Sequence, residues 1–260
     1  MSRWNARQQA LLAALGLGND WGGRPEEAAP IAAAPPAPVL SPAPQVAKAE
    51  LATTAIVSEP HHETAPTEAW RDLDSLHQAV RECRRCGLCE GRRQAVPGVG
   101  NARAHWMVVG EGPGEQEDLQ GEPFVGPSGR LLDAMLGALG LSRRAGDANR
   151  QVFIANSVKC RPPGNRNPTS DELRACAPFL QGQLALIKPR IVLALGRFAV
   201  QAVLGSEEPI GRLRGRIHRL VDGTPLVVSY HPAYLLRQPS EKARAWDDLC
   251  MAAQAADSPP

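Results

Sequence analysis

From Trp70 onwards, short apolar runs alternate with amphipathic stretches. Four apolar runs have the length and composition of buried strands: "HWMVVG", "QVFIANSVK", "RIVLALG" and "LVVSY". The longest segments with apolar residues at helical spacing are "WRDLDSLHQAVREC", "GPSGRLLDAMLGALGL", "TSDELRACAPFLQGQLALIK" and "SEKARAWDDLCMAAQAA". Because strands that alternate with helices form parallel sheets covered on both faces, the pattern predicts an α/β fold. We expect a three-layer α/β/α sandwich around a central, mostly parallel four-stranded sheet.

Local signals place the ends of several elements. Ser128 stands at the start of one predicted helix as a candidate cap, and Thr169 precedes two acidic residues at the start of another. Asp222 and Gly223 form a turn dipeptide between two apolar runs, which predicts a β-hairpin over "RIHRLVDGTPLVVSYH".

The N-terminal part differs in composition from the rest. Residues 22–69 are dominated by Ala, Pro and Glu, and such a segment buries too little apolar surface to offset its ordering entropy. It is therefore predicted to be a disordered linker. Residues 1–21 are predicted to form a short amphipathic helix that binds a protein partner, with an inert tail as the alternative. The folded domain is expected over residues 70–256.

The charge of the chain changes near the same boundary. Residues 1–70 contain four Lys or Arg and seven Asp or Glu, whereas residues 71–260 contain 25 and 20. A net charge of −3 is thus followed by one of +5, and we expect an anionic partner to bind the second part.

Length and cysteine content narrow the class of protein. A chain of 260 residues, 43% of them hydrophobic, can bury one sizeable core, and six cysteines are too few for a disulfide-dense secreted domain. No apolar run reaches the roughly 18 residues of a membrane helix. A signal peptide would be the alternative interpretation of residues 1–21, but Gln8 and Gln9 interrupt its apolar stretch. We expect a cytoplasmic protein, where closely spaced cysteines bind metals or act in catalysis.

Polar residues gather where the predicted strands end. Ligands of open parallel sheets bind beyond the carboxyl ends of the strands. The polar residues and glycines at those ends are Gly110, Glu111, Gly112, Glu117, Asn156 and His231. Taken singly, Asn156 would more often be a satisfied core amide and His231 a structural histidine. Their convergence on one edge of the sheet favours a binding site.

Four motifs together resemble one family. They are "VVGEGPGEQEDLQGEPFVGPSGRLL", "ANSVKCRPPGNRNPTSDELRAC", "ALGRFAV" and "HPAYLLR". In combination they are similar to the motifs of family 4 uracil-DNA glycosylases, the iron–sulfur branch of the uracil-DNA glycosylase superfamily. The resemblance covers roughly residues 73–252 and implies a uracil-DNA glycosylase-like fold. It also implies hydrolysis of the N-glycosidic bond of uracil in DNA, which leaves an abasic site for base-excision repair.

The resemblance implies a pocket for a flipped-out uracil. Phe124 is placed to stack on the base. The Asn156 amide is placed to bond uracil N3–H and O4, a donor and acceptor pair that cytosine reverses. His231 is placed to donate to O2 as negative charge develops there, and Glu117 to crowd C5 and exclude thymine.

The first motif supplies the acidic residue that the family requires. Glu111 would orient the attacking water or stabilise the positive sugar, and Gly110 and Gly112 would line the substrate. The best-known branch of the superfamily has an aspartate at the position of Gly112, so the resemblance leaves both roles of Glu111 open.

The resemblance also implies contacts to DNA, both single- and double-stranded. "HPAYLLRQ" is similar to the loop that enters the minor groove, with Leu235 or Leu236 filling the gap left by the flipped nucleotide and Arg237 near the backbone. The alternative is that "YLL" is the apolar start of a helix. Ser128, at a helix start, could hold a phosphate.

The cysteines allow more than one metal site. The segment "CRRCGLCEGRR" sets Cys83, Cys86 and Cys89 at even gaps, and spacing alone is compatible with zinc. The family pattern instead selects Cys83, Cys86, Cys160 and Cys176 as ligands of a [4Fe–4S] cluster with a structural role. Cys89 would then be a bystander.

A different class of function is a non-catalytic iron–sulfur protein that binds nucleic acid, such as a polymerase accessory factor. The intact pocket residues favour the enzyme, because a binding protein does not need all of them. We expect the protein to act as a monomer and not to bind a membrane.

Overall fold

The structure, a computed structural model, describes residues 70–144 and 150–257. The predicted partner-binding helix (1–21) and linker (22–69) lie outside the described residues. None of the helices in the two described ranges is both long and apolar enough to cross a membrane.

Five strands and nine α-helices make up the described ranges. The strands are β1 (Trp106–Gly110), β2 (Val152–Asn156), β3 (Ile191–Leu195), β4 (Ile217–Arg219) and β5 (Pro225–Ser229). The helices are α1 (Leu73–Glu82), α2 (Leu88–Gly91), α3 (Glu115–Gln120), α4 (Pro127–Ala138), α5 (Ser170–Ile187), α6 (Arg197–Leu204), α7 (Ile210–Leu213), α8 (Pro232–Arg237) and α9 (Lys242–Asp257). Short 3₁₀ turns cover Pro163–Asn165 and Pro239–Glu241.

The strands form one sheet in the order β2-β1-β3-β5-β4. Four strands run parallel, as predicted, and β4 pairs antiparallel with β5. The sheet has one strand more than predicted because the first arm of the predicted hairpin pairs with β5 over three residues, from Ile217 opposite Val227 to Arg219 opposite Pro225. The turn at Gly223, which has a φ of +85°, joins the two arms.

Alternating side chains of the sheet build the core on both of its faces. Trp106 and Val108 of β1 belong to an apolar cluster with residues of α4 and α9. Met107 and Val109 belong to a second cluster with residues of α5 and α6. Because neighbouring side chains of a strand point to opposite faces, this division confirms the three-layer α/β/α sandwich.

Two predicted helix starts can be compared with the structure. Thr169 caps α5, since its hydroxyl accepts from the Glu172 amide at 3.3 Å while the Glu172 carboxylate accepts from the Thr169 amide at 2.8 Å. Ser128 is not the cap of α4. Gly126 occupies that position in an extended conformation and Pro127 is the first helical residue, where proline is preferred.

Helix α4 begins in close contact with the loop before it. A methyl group on Gly129 would lie 1.8 Å from the carbonyl oxygen of Phe124. Only glycine therefore allows this approach, which sets the position of the loop beside the sheet edge.

We predict that Gly129→Ala lowers the free energy of unfolding by about 1–3 kcal/mol, because the helix must move away from the Phe124 backbone. Gly137→Ala is the matched control on the same helix. A side chain at Gly137 would meet nothing within 4 Å, so we expect Gly137→Ala to raise the free energy of unfolding by about 0.5–1 kcal/mol. Urea unfolding of both variants measures the difference, and equal changes would contradict the prediction.

Candidate active site and cysteine cavity

The carboxyl ends of β1 and β2 bring three predicted site residues together. Gly110 lies opposite Asn156 in the parallel register. A side chain on Gly110 would lie 2.5 Å from Asn156 Oδ1 and 2.5 Å from Phe124 Cζ, so the three residues meet where only glycine fits. Asn156 is 2% exposed, and its Oδ1 has no hydrogen-bond partner among the described residues. Buried amide oxygens are normally bonded, so this one is available to a ligand.

The Phe124 ring forms one wall of this pocket. It stacks against the His231 ring, with 5.4 Å between the ring centroids and an angle of 28° between the planes. Phe124 has a φ of +56°, a strained value for a bulky residue, so neighbouring contacts must hold the backbone there.

Arg143 supplies such a contact, although no sequence motif predicted it. It is 7% exposed, and its guanidinium donates to the carbonyl oxygens of Pro123 at 2.6 Å and of Phe124 at 3.1 Å. Carboxylates of Glu122 and Asp133 balance its charge. The residue lies some twenty positions from the loop that it holds, and nothing in its local sequence marks it.

Glu117 also holds this loop. Its carboxylate accepts from the backbone amides of Gly114 at 3.1 Å, Val125 at 2.9 Å and Gly126 at 3.0 Å. The first bond caps α3, and the other two fix the chain after Phe124. Glu117 thus positions the pocket wall in addition to the predicted contact with the base.

His231 begins α8 at the carboxyl end of β5. Its Nδ1 accepts from the Ala233 amide at 3.2 Å, so the neutral ring carries its proton on Nε2. The pKa of His231 is lowered to about 4, mainly by burial and also by the charge of Arg237, while the charge of Glu117 opposes both. The imidazole is therefore a neutral hydrogen-bond donor at physiological pH.

Glu111 lies at the same edge of the sheet, directly after β1. Its carbonyl oxygen accepts from the Val158 amide at 3.2 Å and from the Ser157 hydroxyl. Burial raises the pKa of the Glu111 carboxyl, and the nearby Arg197 guanidinium opposes the shift. A side chain on Gly112 would lie 2.8 Å from Val158 Cγ2, which explains glycine there.

The structure separates the two leucines predicted to contact DNA. Leu235 is fully buried in the apolar core, so of the two predicted alternatives it is the one without access to DNA in this structure. The segment forms the six-residue helix α8, which turns one of two adjacent leucines inwards and the other outwards. Leu236 is 46% exposed and Arg237 is exposed. Ser128 is partly buried in the first turn of α4.

Five cysteines line a common cavity: Cys83, Cys86, Cys89, Cys160 and Cys176. They come from the loop after α1, helix α2, the loop after β2, and helix α5. Cys89 shares this cavity with the four predicted ligands. Cys250 instead packs, partly buried, against the core as part of α9.

Two of the cavity cysteines, Cys160 and Cys176, are buried, and their sulfurs accept hydrogen bonds. Burial raises the pKa of the Cys86 and Cys160 thiols and that of Cys176 to about 12. Arg92 donates to Cys160 Sγ at 3.0 Å, and the Lys159 amide donates to Cys176 Sγ at 3.3 Å. Donors of this kind tune iron–sulfur clusters.

Five cysteines around one cavity are at least as many thiols as the four thiolates of a four-iron cluster. Among the described residues, no three His, Cys, Asp or Glu side chains are grouped so that they could hold a metal ion. A four-iron cluster makes a different demand, because it spreads its four thiolates over its irons. Four or more sulfurs around one enclosed space fit that group.

Lys159 links the cysteine cavity to the pocket, and it was not among the predicted site residues. The side chain is 1% exposed, and its ammonium donates to the Asn156 carbonyl at 2.8 Å and to Gln183 Oε1 at 2.7 Å. Gln183 in turn donates to the Pro97 carbonyl at 2.7 Å. The signal that could have revealed this network was a lysine between Val158 and Cys160, directly after a predicted buried strand.

Comparison with known proteins agrees with this geometry. The family model described as the uracil DNA glycosylase superfamily matches residues 97–250. A type-4 uracil-DNA glycosylase of Saccharolobus solfataricus is 40% identical over 197 residues, which cover 73% of this chain and 88% of the relative. Another, of Pyrobaculum aerophilum, is 41% identical over 187 residues, 69% of this chain and 92% of the relative.

A more distant relative belongs to a neighbouring type. The type-5 uracil-DNA glycosylase of Thermus thermophilus is 33% identical over 192 residues, 62% of this chain and 86% of that protein. Since the family model spans more than half of the chain and the type-4 relatives are matched over most of their length, this chain belongs to the uracil DNA glycosylase superfamily, among the type-4 uracil-DNA glycosylases.

Proposed function

We propose that the chain removes uracil from DNA, and that the pocket of Gly110, Phe124, Asn156 and His231 receives the flipped-out base. The observation that carries the proposal is the buried Asn156 amide oxygen, which has no partner among the described residues and lies beside an aromatic ring. A base that donates at N3 satisfies this oxygen.

Base selection follows from the two ends of the Asn156 amide. Its oxygen accepts from uracil N3–H and its amino group donates to O4. Cytosine presents an acceptor at N3 and an amino group at C4, so both contacts become unfavourable. Phe124 stacks on the base and Glu117 crowds C5. The hydrogen bond of Glu117 to the Val125 amide, next to Phe124, and the effect of its charge on His231 support the second role.

Bond cleavage places opposite charges on the sugar and the base. The C1′–N1 bond breaks with its electron pair leaving on uracil, and the oxygen of a water molecule bonds to C1′ of the cation-like sugar. The proton that this water loses ends on the uracil anion, so both products are neutral. The neutral His231 donates from Nε2 to uracil O2 as the negative charge builds. Glu111, when ionised, orients the water or stabilises the sugar cation.

Cys83, Cys86, Cys160 and Cys176 are proposed to hold a [4Fe–4S] cluster. When bound, the cluster supplies iron–thiolate bonds that join α5 and the loop after β2 to the segment between α1 and α2. The shared cavity and the hydrogen bonds to Cys160 and Cys176 support this assignment. The role is structural.

Contacts to the rest of the substrate are proposed at the same edge of the sheet. Leu236 is exposed and apolar, which suits filling the gap in the stack, and Arg237 follows it near the backbone. The start of α4 at Ser128 offers backbone amides to a phosphate. Single- and double-stranded DNA are both proposed as substrates.

The protein is proposed to act as a monomer in the cytosol, in base-excision repair. The free thiols of Cys83, Cys86, Cys89, Cys160 and Cys176 support a reducing compartment.

We expect the holo-protein to release uracil from a duplex with a U:G pair, and Glu111→Gln to lower kcat by about 10²–10⁴-fold. Since the pKa of Glu111 is raised above its ordinary value of 4.5, its active ionised form is lost as the pH falls through that raised value. The acid limb of the wild-type kcat profile should therefore lie above pH 4.5 and disappear in the variant. No release by the wild-type holo-protein would contradict the proposed function.

We predict that Asn156→Asp shifts excision from uracil towards cytosine. A protonated carboxyl donates where the amide oxygen accepted, and its other oxygen accepts from the cytosine amino group. Release of each base from otherwise identical duplexes measures the ratio. Asn156→Leu, which removes both polar atoms, is the control and should release neither base. An unchanged preference in Asn156→Asp would exclude the role given to this amide.

The four-cysteine assignment predicts a difference between neighbouring residues. Cys86→Ser should lose most of the visible absorbance of the cluster and its iron, whereas Cys89→Ser should keep both. Iron per polypeptide and the absorbance spectrum of the purified full-length variants measure this. Loss of iron in Cys89→Ser would show that this residue is a ligand.

A further inference from the structure

A basic surface pocket adjoins the cysteine cavity. Its lining includes four arginines, which we call the arginine pocket: Arg81, Arg84, Arg92 and Arg93. Cys89 borders both the arginine pocket and the cysteine cavity, so the two share a wall. None of these arginines belongs to the uracil pocket described above.

The guanidinium groups of the arginine pocket are poorly balanced by acidic side chains. The ion pairs between described residues involve other arginines, and none includes Arg81, Arg84 or Arg93. Residues 81–93 contain five arginines and two glutamates, so this short segment is strongly basic. Because no ion pair between described residues balances Arg81, Arg84 or Arg93, their charge favours an anionic ligand.

The buried carboxylate that meets this segment bonds its backbone. Asp118 is 5% exposed, and it accepts from the backbone amides of Arg93 at 2.9 and 3.1 Å and of Gln94 at 3.4 Å. It therefore holds the backbone of the arginine pocket in place and leaves the Arg93 side chain exposed to solvent.

Helix α3 separates the arginine pocket from the uracil pocket. Asp118 of this helix bonds the Arg93 backbone, while the preceding Glu117 bonds the loop that carries Phe124. A helix of six residues thus lies between the two sites. DNA that places one nucleotide in the uracil pocket must extend over the adjoining surface, and it carries a phosphate at every nucleotide.

We propose that the arginine pocket binds the phosphate backbone of the DNA from which uracil is removed. Guanidinium groups bind phosphate oxygens through paired, charge-assisted hydrogen bonds, and such contacts hold DNA in position without reading its sequence. This proposal rests on the proposed function.

Arg92 has a different part in the arginine pocket. Its guanidinium donates to Cys160 Sγ at 3.0 Å and to the carbonyl oxygen of Arg81 at 2.6 Å. It is a positioning residue that ties the basic segment to the cysteine cavity. It is therefore left unchanged in the test, so that the cluster site stays intact.

The test variant carries Arg81→Gln, Arg84→Gln and Arg93→Gln in the full-length holo-protein. Its dissociation constant for a duplex with a stable abasic-site analogue is measured over a series of NaCl concentrations. We expect binding at low salt to weaken about ten-fold or more, and the slope of log affinity against log salt to fall by about 1 for each phosphate that the protein no longer neutralises. The rate of uracil release at saturating enzyme should stay within about two-fold of wild type, because the arginines do not touch the base.

A control variant removes the same charge at the opposite edge of the sheet. Arg212, Arg216 and Arg219 are exposed and lie around β4, which is the strand furthest from β2. Changing these three to Gln should leave the salt slope close to that of wild type. An equal fall of the slope in both variants, or an unchanged slope in the arginine-pocket variant, would overturn the proposal.

Two further measurements keep the outcome unambiguous. Visible absorbance shows whether the arginine-pocket variant retains its cluster. If the cluster is lost, a variant with Arg84→Glu alone is used in the same binding assay.

Thermal unfolding of the wild type and the variant in inorganic phosphate, against NaCl of equal ionic strength, tests a free anion as the ligand. Phosphate stabilisation that the variant lacks, together with an unchanged DNA salt slope, would assign the pocket to free phosphate and overturn the DNA assignment.

Binding is measured without excision, so the two proposals fail separately. If the wild type releases no uracil but the salt slope falls in the arginine-pocket variant, the proposed function is wrong and the arginine pocket still binds DNA. Normal excision with an unchanged salt slope would support the proposed function and overturn the arginine-pocket proposal.

Discussion

The site depends on the parallel pairing of β1 with β2, which continues beyond the ends of both strands. The Ser157 amide donates to the Gly110 carbonyl at 2.9 Å, and the next amide along donates to the Glu111 carbonyl at 3.2 Å. This register places Asn156 opposite Gly110, where a side chain would clash with both Asn156 Oδ1 and Phe124 Cζ. A slip of one residue would turn Asn156 to the other face of the sheet, because side chains alternate along a strand. The surrounding strands, buried on both faces, make such a slip costly.

The proposed pocket is already formed in the ligand-free structure, and several of its features lower the stability of the fold. Phe124 is held at a positive φ, the Asn156 amide oxygen is buried without a partner among the described residues, and Arg143 is buried with its charge. An unsatisfied buried polar atom costs about 1–3 kcal/mol. Each of these features is surrounded by contacts from several elements, so the loop before α4 cannot relax independently. Preorganisation of this kind lets binding energy act on the base rather than on ordering the protein.

Much of this arrangement could be predicted from the sequence, because parallel strands bring their carboxyl ends to one edge. That rule placed Asn156 and His231 near each other from two separate strands. It could not place Arg143 or Lys159, whose hydrogen bonds reach backbone carbonyls that carry no sequence signal. The resemblance left Leu235 and Leu236 as alternatives, because periodicity over six residues does not decide which of two adjacent leucines faces the core; the structure buries the first and exposes the second.

The hydrogen bonds of Lys159 and Arg92 suggest why a cysteine site that does not touch the base belongs to this fold. The Lys159 amide bonds Cys176 Sγ while its side chain bonds the Asn156 carbonyl. Arg92 bonds Cys160 Sγ and the backbone of the basic segment. Two sulfurs of one cavity are therefore bonded to residues that hold the Asn156 backbone and the proposed phosphate site. The proposed cluster would fix those sulfurs and so restrain both proposed recognition surfaces, and it would thereby influence affinity for DNA and choice of base without contacting either.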